Sequence, residues 1–129
     1  LSRDAVAHLS FEHLARVLGA GEGAPCVQVL GCPPGGRAFL LAALAARTER
    51  PLLVLVPGAA EAEETARELG AYLGEERVLP YPSLEVAPYE RIAPHAPAVH
   101  DRMRALHRLA AGEPVAVVAS VEAAFERTL

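Results

Sequence analysis

The chain has 129 residues, of which 52% are apolar and 22% charged, enough apolar material for one domain with a real core. A net charge of -4 gives no general electrostatic case for nucleic acid, and every basic residue is Arg because no Lys occurs. Apolar runs are broken by Arg, Gly or Pro well short of a bilayer span, and no basic-then-apolar leader opens the chain, so a cytoplasmic protein with no membrane partner is expected.

The chain opens with Leu rather than Met, which suggests a piece of a longer protein. Residues 1–18 read as helical, with Ser10 able to cap a segment whose Phe11, Leu14 and Leu18 share a face. The Gly-rich run at 19–25 breaks the pattern, so residues 1–22 are expected to be a helical appendage and 23–129 the main domain. From there the order is strand, loop, helix, repeated. Cys26 to Leu30 reads as a short strand, Gly31 to Gly36 as a loop and Arg37 to Arg47 as an apolar helix. Leu52 to Val56 is a second strand, too continuously apolar for a half-exposed antiparallel position.

A helix follows from Ala59 to Leu73, with Ala62, Ala66, Leu69 and Leu73 on one stripe and glutamates in its first turns, where the helix dipole favours them. Gly74 ends it, and Arg77 to Pro80 reads as a third strand. Val99 to Ala111 is a helix with Val99, Met103, Leu106 and Ala110 expected inward; Gly112 and Pro114 stop it. Val115 to Ala119 is a fourth strand, followed by a helix from Val121. Strands alternating with helices predict an α/β fold, a parallel sheet of the P-loop NTPase or RecA-like kind flanked by helices.

Gly31 and Gly36 bracket four residues between a strand and a helix, the frame of the phosphate loop G-x-x-x-x-G-K-[S/T]. In a working loop the glycines let backbone N–H groups wrap phosphates at a helix N-terminus, Lys reaches the outer phosphates and the hydroxyl holds Mg²⁺. Here Gly31, Gly35 and Gly36 remain, but Arg37 stands for Lys and Ala38 for the hydroxyl residue. Arg is a larger planar fork, Ala cannot ligate metal, and Pro33 and Pro34 remove two N–H donors. The fourth strand runs into Ala119-Ser120-Val121 with no Asp-Glu pair to hold Mg²⁺. A degenerate loop, no catalytic residue and no cofactor are therefore expected. The other class is a nucleotide-dependent helicase or ATPase lobe with an atypical loop. A Rossmann-type domain is disfavoured, since G-x-G-x-x-G is absent and Pro57 follows the second strand.

Residues 80–97 carry repeated Pro with Tyr81, Leu84, Tyr89 and Ile92, a long segment expected to pack as a wrap. His100 and His107 lie seven apart, a poor spacing for one metal ion, and Cys26 and Cys32 lack the further ligands zinc requires, so no metal site is expected. Tyr89, Arg91, His95, Arg102, Arg104 and Arg108 form a candidate interaction surface, although a solvated helix face is the favoured reading of Arg102, Arg104 and Arg108.

The run Leu79-Pro-Tyr-Pro-Ser-Leu-Glu-Val-Ala-Pro-Tyr-Glu-Arg-Ile-Ala-Pro-His95 resembles the segment P-x-W-E-x-L-P-Y-E-x-x-S-P-H of the bacterial transcription-repair coupling factor family. Arg50 to Pro57 with its Glu-rich helix, Arg102 to Leu109 and Val115 to Val121 continue the likeness, with Ser83 and Leu84 near the usual Trp position. The resemblance is to the N-terminal module, itself similar to the excision-repair protein UvrB, a helicase relative whose ATPase motif the family lost there. It implies a protein that displaces stalled RNA polymerase from DNA lesions and recruits UvrA. The UvrA contacts would lie mainly on the adjacent domain, with ATP and Mg²⁺ used by motor domains elsewhere. The segment between Val78 and His95 is short for the damage-probing β-hairpin of UvrB.

Overall fold

The computed structural model describes residues 11–18, 26–84 and 96–126. Its frame is a three-stranded parallel sheet of β1 (Leu52–Val56), β2 (Val78–Tyr81) and β3 (Ala116–Ser120) in the order β1-β3-β2. The helices are α1 (Phe11–Leu18), α2 (Gly36–Thr48), α3 (Ala59–Leu73), α4 (Ala96–Ala110) and α5 (Val121–Phe125), with one 3₁₀ turn at Glu75–Arg77. The α/β class expected from the alternation is present.

Parallel neighbours need crossovers, and crossovers in one sheet are right-handed. The first, from β1 through α3, steps over the place later filled by β3. The second, from β2 through α4, steps back. Reversing direction at fixed hand puts the two helices on opposite faces, and the side chains agree. Val54, Val78, Ala116 and Val118 form one core cluster with Leu69 of α3 and Ala38 and Ala42 of α2. Leu79, Val115 and Val117 form the other with Ala105 of α4. Strand residues alternate in direction, so β3 feeds both clusters.

The α3 stripe is as the spacing predicts: Leu69 is fully buried, and Ala62, Ala66 and Leu73 pack against the same cluster. Burying one such Leu contributes about 2 kcal/mol. The helix stops at Gly74, whose φ of 89° is in the region that favours glycine. In α1, Leu14 is buried, and Glu12 reaches Arg47 of α2 at 3.7 Å. Ser10, its expected cap, lies outside the described residues.

Two expectations are overturned. Cys26 to Leu30 is not a strand: it joins no ladder, and Val29 and Leu30 are exposed. A strand exists only through hydrogen bonds to a neighbour, and apolar composition cannot supply one. The inward stripe of α4 is also displaced. Arg102 and Ala105 are its buried residues, whereas Val99 and Met103 are exposed. The helix is turned so that a charged residue faces the interior, for reasons visible in its partners below.

Candidate functional site

Residues Gly31 to Gly35 lead into the first turn of α2, where Gly36, Arg37 and Ala38 lie. Gly31 has a φ of 76°, and at Gly36 an added Cβ would lie 3.1 Å from the Pro33 ring, so a side chain there would crowd the turn. That turn is closed by the Gly36 N–H donating to the Pro33 carbonyl at 2.9 Å. An N–H that would face an anion is thus used inside the loop. Pro33 and Pro34 have none to offer. At the start of α2, Gly35 supplies no side-chain cap.

The two residues that would act on a nucleotide diverge in placement. Ala38 is 2% exposed and belongs to the core cluster under α2, so the position that would need a hydroxyl toward solvent and metal points into packing. Arg37 is exposed and makes no hydrogen bond or ion pair among the described residues. Both line a cleft of about 550 Å³ with Pro34, Gly35, Leu41, the outer side of β1 from Leu53 to Pro57, and Glu61, Glu64, Thr65 and Glu68 of α3. Three carboxylates therefore face one guanidinium. That balance of lining charge is unfavourable to a polyphosphate, and no carboxylate pair ends β3 to hold a counter-ion for it. Ser120, at that strand end, is buried and caps α5 by accepting the Ala123 N–H at 3.1 Å. The residues present do not fit a bound Mg²⁺-nucleotide.

Three residues of the other candidate surface, Arg102, Arg104 and Arg108, fall among the described residues. Tyr89, Arg91 and His95 lie outside the described residues. Arg102 is 1% exposed, which corrects its assignment to a surface. Arg104 is exposed and lies 3.4 Å from Asp101. Arg108 donates to Glu113 at 2.6 Å and to the Glu76 carbonyl at 2.7 Å, tying the end of α4 to the turn before β2. Among the described residues no group of His, Cys, Asp or Glu could hold a metal, and no helix is long and apolar enough to cross a membrane.

Against known proteins, 102 residues of the chain are 36% identical to the transcription-repair-coupling factors of Mycobacterium bovis and Mycobacterium tuberculosis, over 74% of this chain. A stretch of 110 residues is 33% identical to the transcription-repair-coupling factor of Myxococcus xanthus, over 80% of this chain. The chain is related to the transcription-repair-coupling factors. It spans only 8% to 9% of the length of these relatives. No family model matches it.

Within this coupling-factor relative, sequence reasoning missed one polar node. The Arg102 guanidinium lies 4.2 Å over the Tyr81 ring. Its Nη1 donates to the Pro82 carbonyl at 3.0 Å, the Ala123 carbonyl at 3.3 Å and Glu126 Oε2 at 3.1 Å, and its Nη2 to the Glu126 carbonyl at 3.3 Å. Glu126 in turn accepts from the Ser83 hydroxyl and from the Leu84 N–H at 2.8 Å. The start of the Pro- and Tyr-rich segment, α4 and the end of α5 meet there. One signal was available: Ala98, Arg102, Ala105 and Leu109 lie at helical spacing, a small and apolar stripe broken by one Arg.

Proposed function

We propose that this chain is a non-catalytic, UvrB-like scaffold domain of a cytoplasmic transcription-repair coupling factor. The whole protein would displace RNA polymerase stalled at DNA lesions and recruit the UvrA excision-repair complex. The observation that carries the non-catalytic reading is the loop: Ala38 is in the core, the Gly36 N–H is spent on Pro33, and Glu61, Glu64 and Glu68 share the cleft with Arg37. A sheet with flanking helices of P-loop descent, kept without its chemistry, accounts for that combination. Residues 1–22 would be a helical appendage and 23–129 the scaffold. ATP and Mg²⁺ would serve motor domains elsewhere, and contacts with UvrA, polymerase and DNA would be made chiefly by other segments.

Titration of the chain with a fluorescent ATP analogue is the test. The expected result is no saturable Mg²⁺-dependent binding at micromolar concentrations, no ATP turnover, and no change on Arg37→Ala. Restoring the motif with Arg37→Lys and Ala38→Thr is expected to leave binding absent, because the carboxylates and the two prolines remain. Micromolar Mg²⁺-dependent binding that Arg37→Ala abolishes would instead support a nucleotide-dependent lobe.

A further inference from the structure

The helix α5 has five residues, of which only Ala123 is buried, and a helix that short does not hold in water by its own hydrogen bonds. Its first turn is capped from its own chain, by the Ser120 hydroxyl accepting the Ala123 N–H. Its last turn is capped from another helix. The final carbonyls of a helix have no partner inside it. Arg102 of α4 supplies donors there, with Nη1 to the Ala123 carbonyl and Nη2 to the carbonyl of the cap residue Glu126, both at 3.3 Å. The guanidinium is turned to these acceptors although its Nε then finds none among the described residues. A buried donor left unmet has a cost, so the bonds to α5 and Glu126 must outweigh it.

The same node fixes a second stretch of chain. β2 ends at Tyr81, so its ladder does not hold Pro82, Ser83 and Leu84. The Pro82 carbonyl accepts from Arg102 Nη1 at 3.0 Å, the Ser83 hydroxyl donates to Glu126 Oε1, and the Leu84 N–H donates to Glu126 Oε2 at 2.8 Å. Leu84 and Glu126 are 42 residues apart in sequence. The Arg102 side chain is 2% exposed and that of Glu126 25%, so the guanidinium is the fixed part of the node and the carboxylate the part that can move. Glu126 stays within reach of Leu84 while α5 is wound, because its N–H closes that helix on the Glu122 carbonyl at 3.2 Å. We propose that α5 is a latch: wound and capped by Arg102, it holds Pro82 to Leu84 through Glu126, and the two stretches release as one unit ahead of the rest of the domain. Coupling of this kind is reciprocal. Displacing the chain at the end of α5 releases the start of the Pro- and Tyr-rich segment, and displacing that start unwinds α5.

Amide hydrogen exchange of the 129-residue chain, followed by NMR, tests the latch. The Leu84 and Glu126 amides are expected to share one level of protection, at least a hundredfold below that of Leu69 in the core. Ala124 is exposed on α5 and makes none of the bonds above. Ala124→Gly therefore weakens the helix alone, and it should speed exchange at both amides roughly fivefold, the helix-propensity difference between the two residues. Val54→Ala, in the core cluster under α3, should speed Leu69 and leave Leu84 and Glu126 at their parent rates. Unequal protection of the two amides in the parent, or a Leu84 rate unmoved by Ala124→Gly, would make the contact at Leu84 a local one and overturn the proposal. Leu84 exchanging as slowly as Leu69, or responding with it to Val54→Ala, overturns it as well, because the node would then open only with the whole fold.

Discussion

Arg102 is held by the backbone around it more than by its one carboxylate. Its guanidinium reaches three main-chain carbonyls, from Pro82, Ala123 and Glu126, and lies on the Tyr81 ring. Such a fork-shaped donor set suits Arg and not Lys. Buried ion pairs are weak evidence of stability, but removing one partner is costly because the other polar groups lose their match. Glu126 keeps a quarter of its side chain exposed, which moderates that cost. Arg102→Met is expected to destabilise the chain by about 3 kcal/mol, read as a shift in the urea midpoint at constant slope. Arg102→Lys should recover less than half of the loss. A cost below about 1 kcal/mol, the range of surface pairs, would mean the node contributes little. Gly31, Gly36, Arg37 and Ala38 stand out in the sequence because they can be set against a fixed motif frame. Arg102 does not. An Arg on a helix with Arg104 and Arg108 reads as a solvated face until its acceptors, Pro82 on one side in sequence and Ala123 and Glu126 on the other, are brought near.

At the scale of elements, α4 shows why a stripe can be mistaken. Val99, Met103, Leu106 and Ala110 have the right period, and so do Ala98, Arg102, Ala105 and Leu109, about one residue round the helix. The second stripe carries both buried residues of the helix. Ala105 has no exposed surface and packs with Leu79, Val115 and Val117, a small side chain that lets the helix lie close to the strands. Ala105→Leu should therefore overpack the sheet face and cost about 1–3 kcal/mol, whereas Met103→Gln should stay within about 0.5 kcal/mol of the parent. Thermal denaturation of the two variants distinguishes the faces, and the reverse order would restore the stripe first expected from the sequence. The boundaries of β1 and α3 were readable because each runs between strong stops, Pro51 and Pro57 for the strand and Gly58 and Gly74 for the helix. Cys26 to Leu30 was not readable, since periodicity reports what a segment could bury and is silent on whether a neighbouring edge is there to receive it.

For the whole molecule, β3 is the element on which both halves of the core depend. Its even residues, Ala116 and Val118, pack under α2 and α3, and Val117, with Val115 just before the strand, packs under α4. All five strand residues and Val115 are buried, so this strand has no solvent face on either side. Two clusters separated by a sheet could unfold independently if they shared no residue of one chain segment. Here they share a strand whose ladder to β1 and β2 must be intact for either cluster to form. The chain should therefore unfold in one cooperative step, as single domains of this size usually do. Val117→Ala and Val118→Ala remove two methyl groups from opposite faces, and each should cost about 2 kcal/mol by transfer and residual cavity. The check is native-state hydrogen exchange on both variants. Amides of α3 and of α4 should lose protection by the same amount in each, because both losses pass through global unfolding. If Val117→Ala loosened α4 while leaving α3 at its parent protection, the two faces would be separate folding units, and β3 would be a partition between them rather than a shared spine.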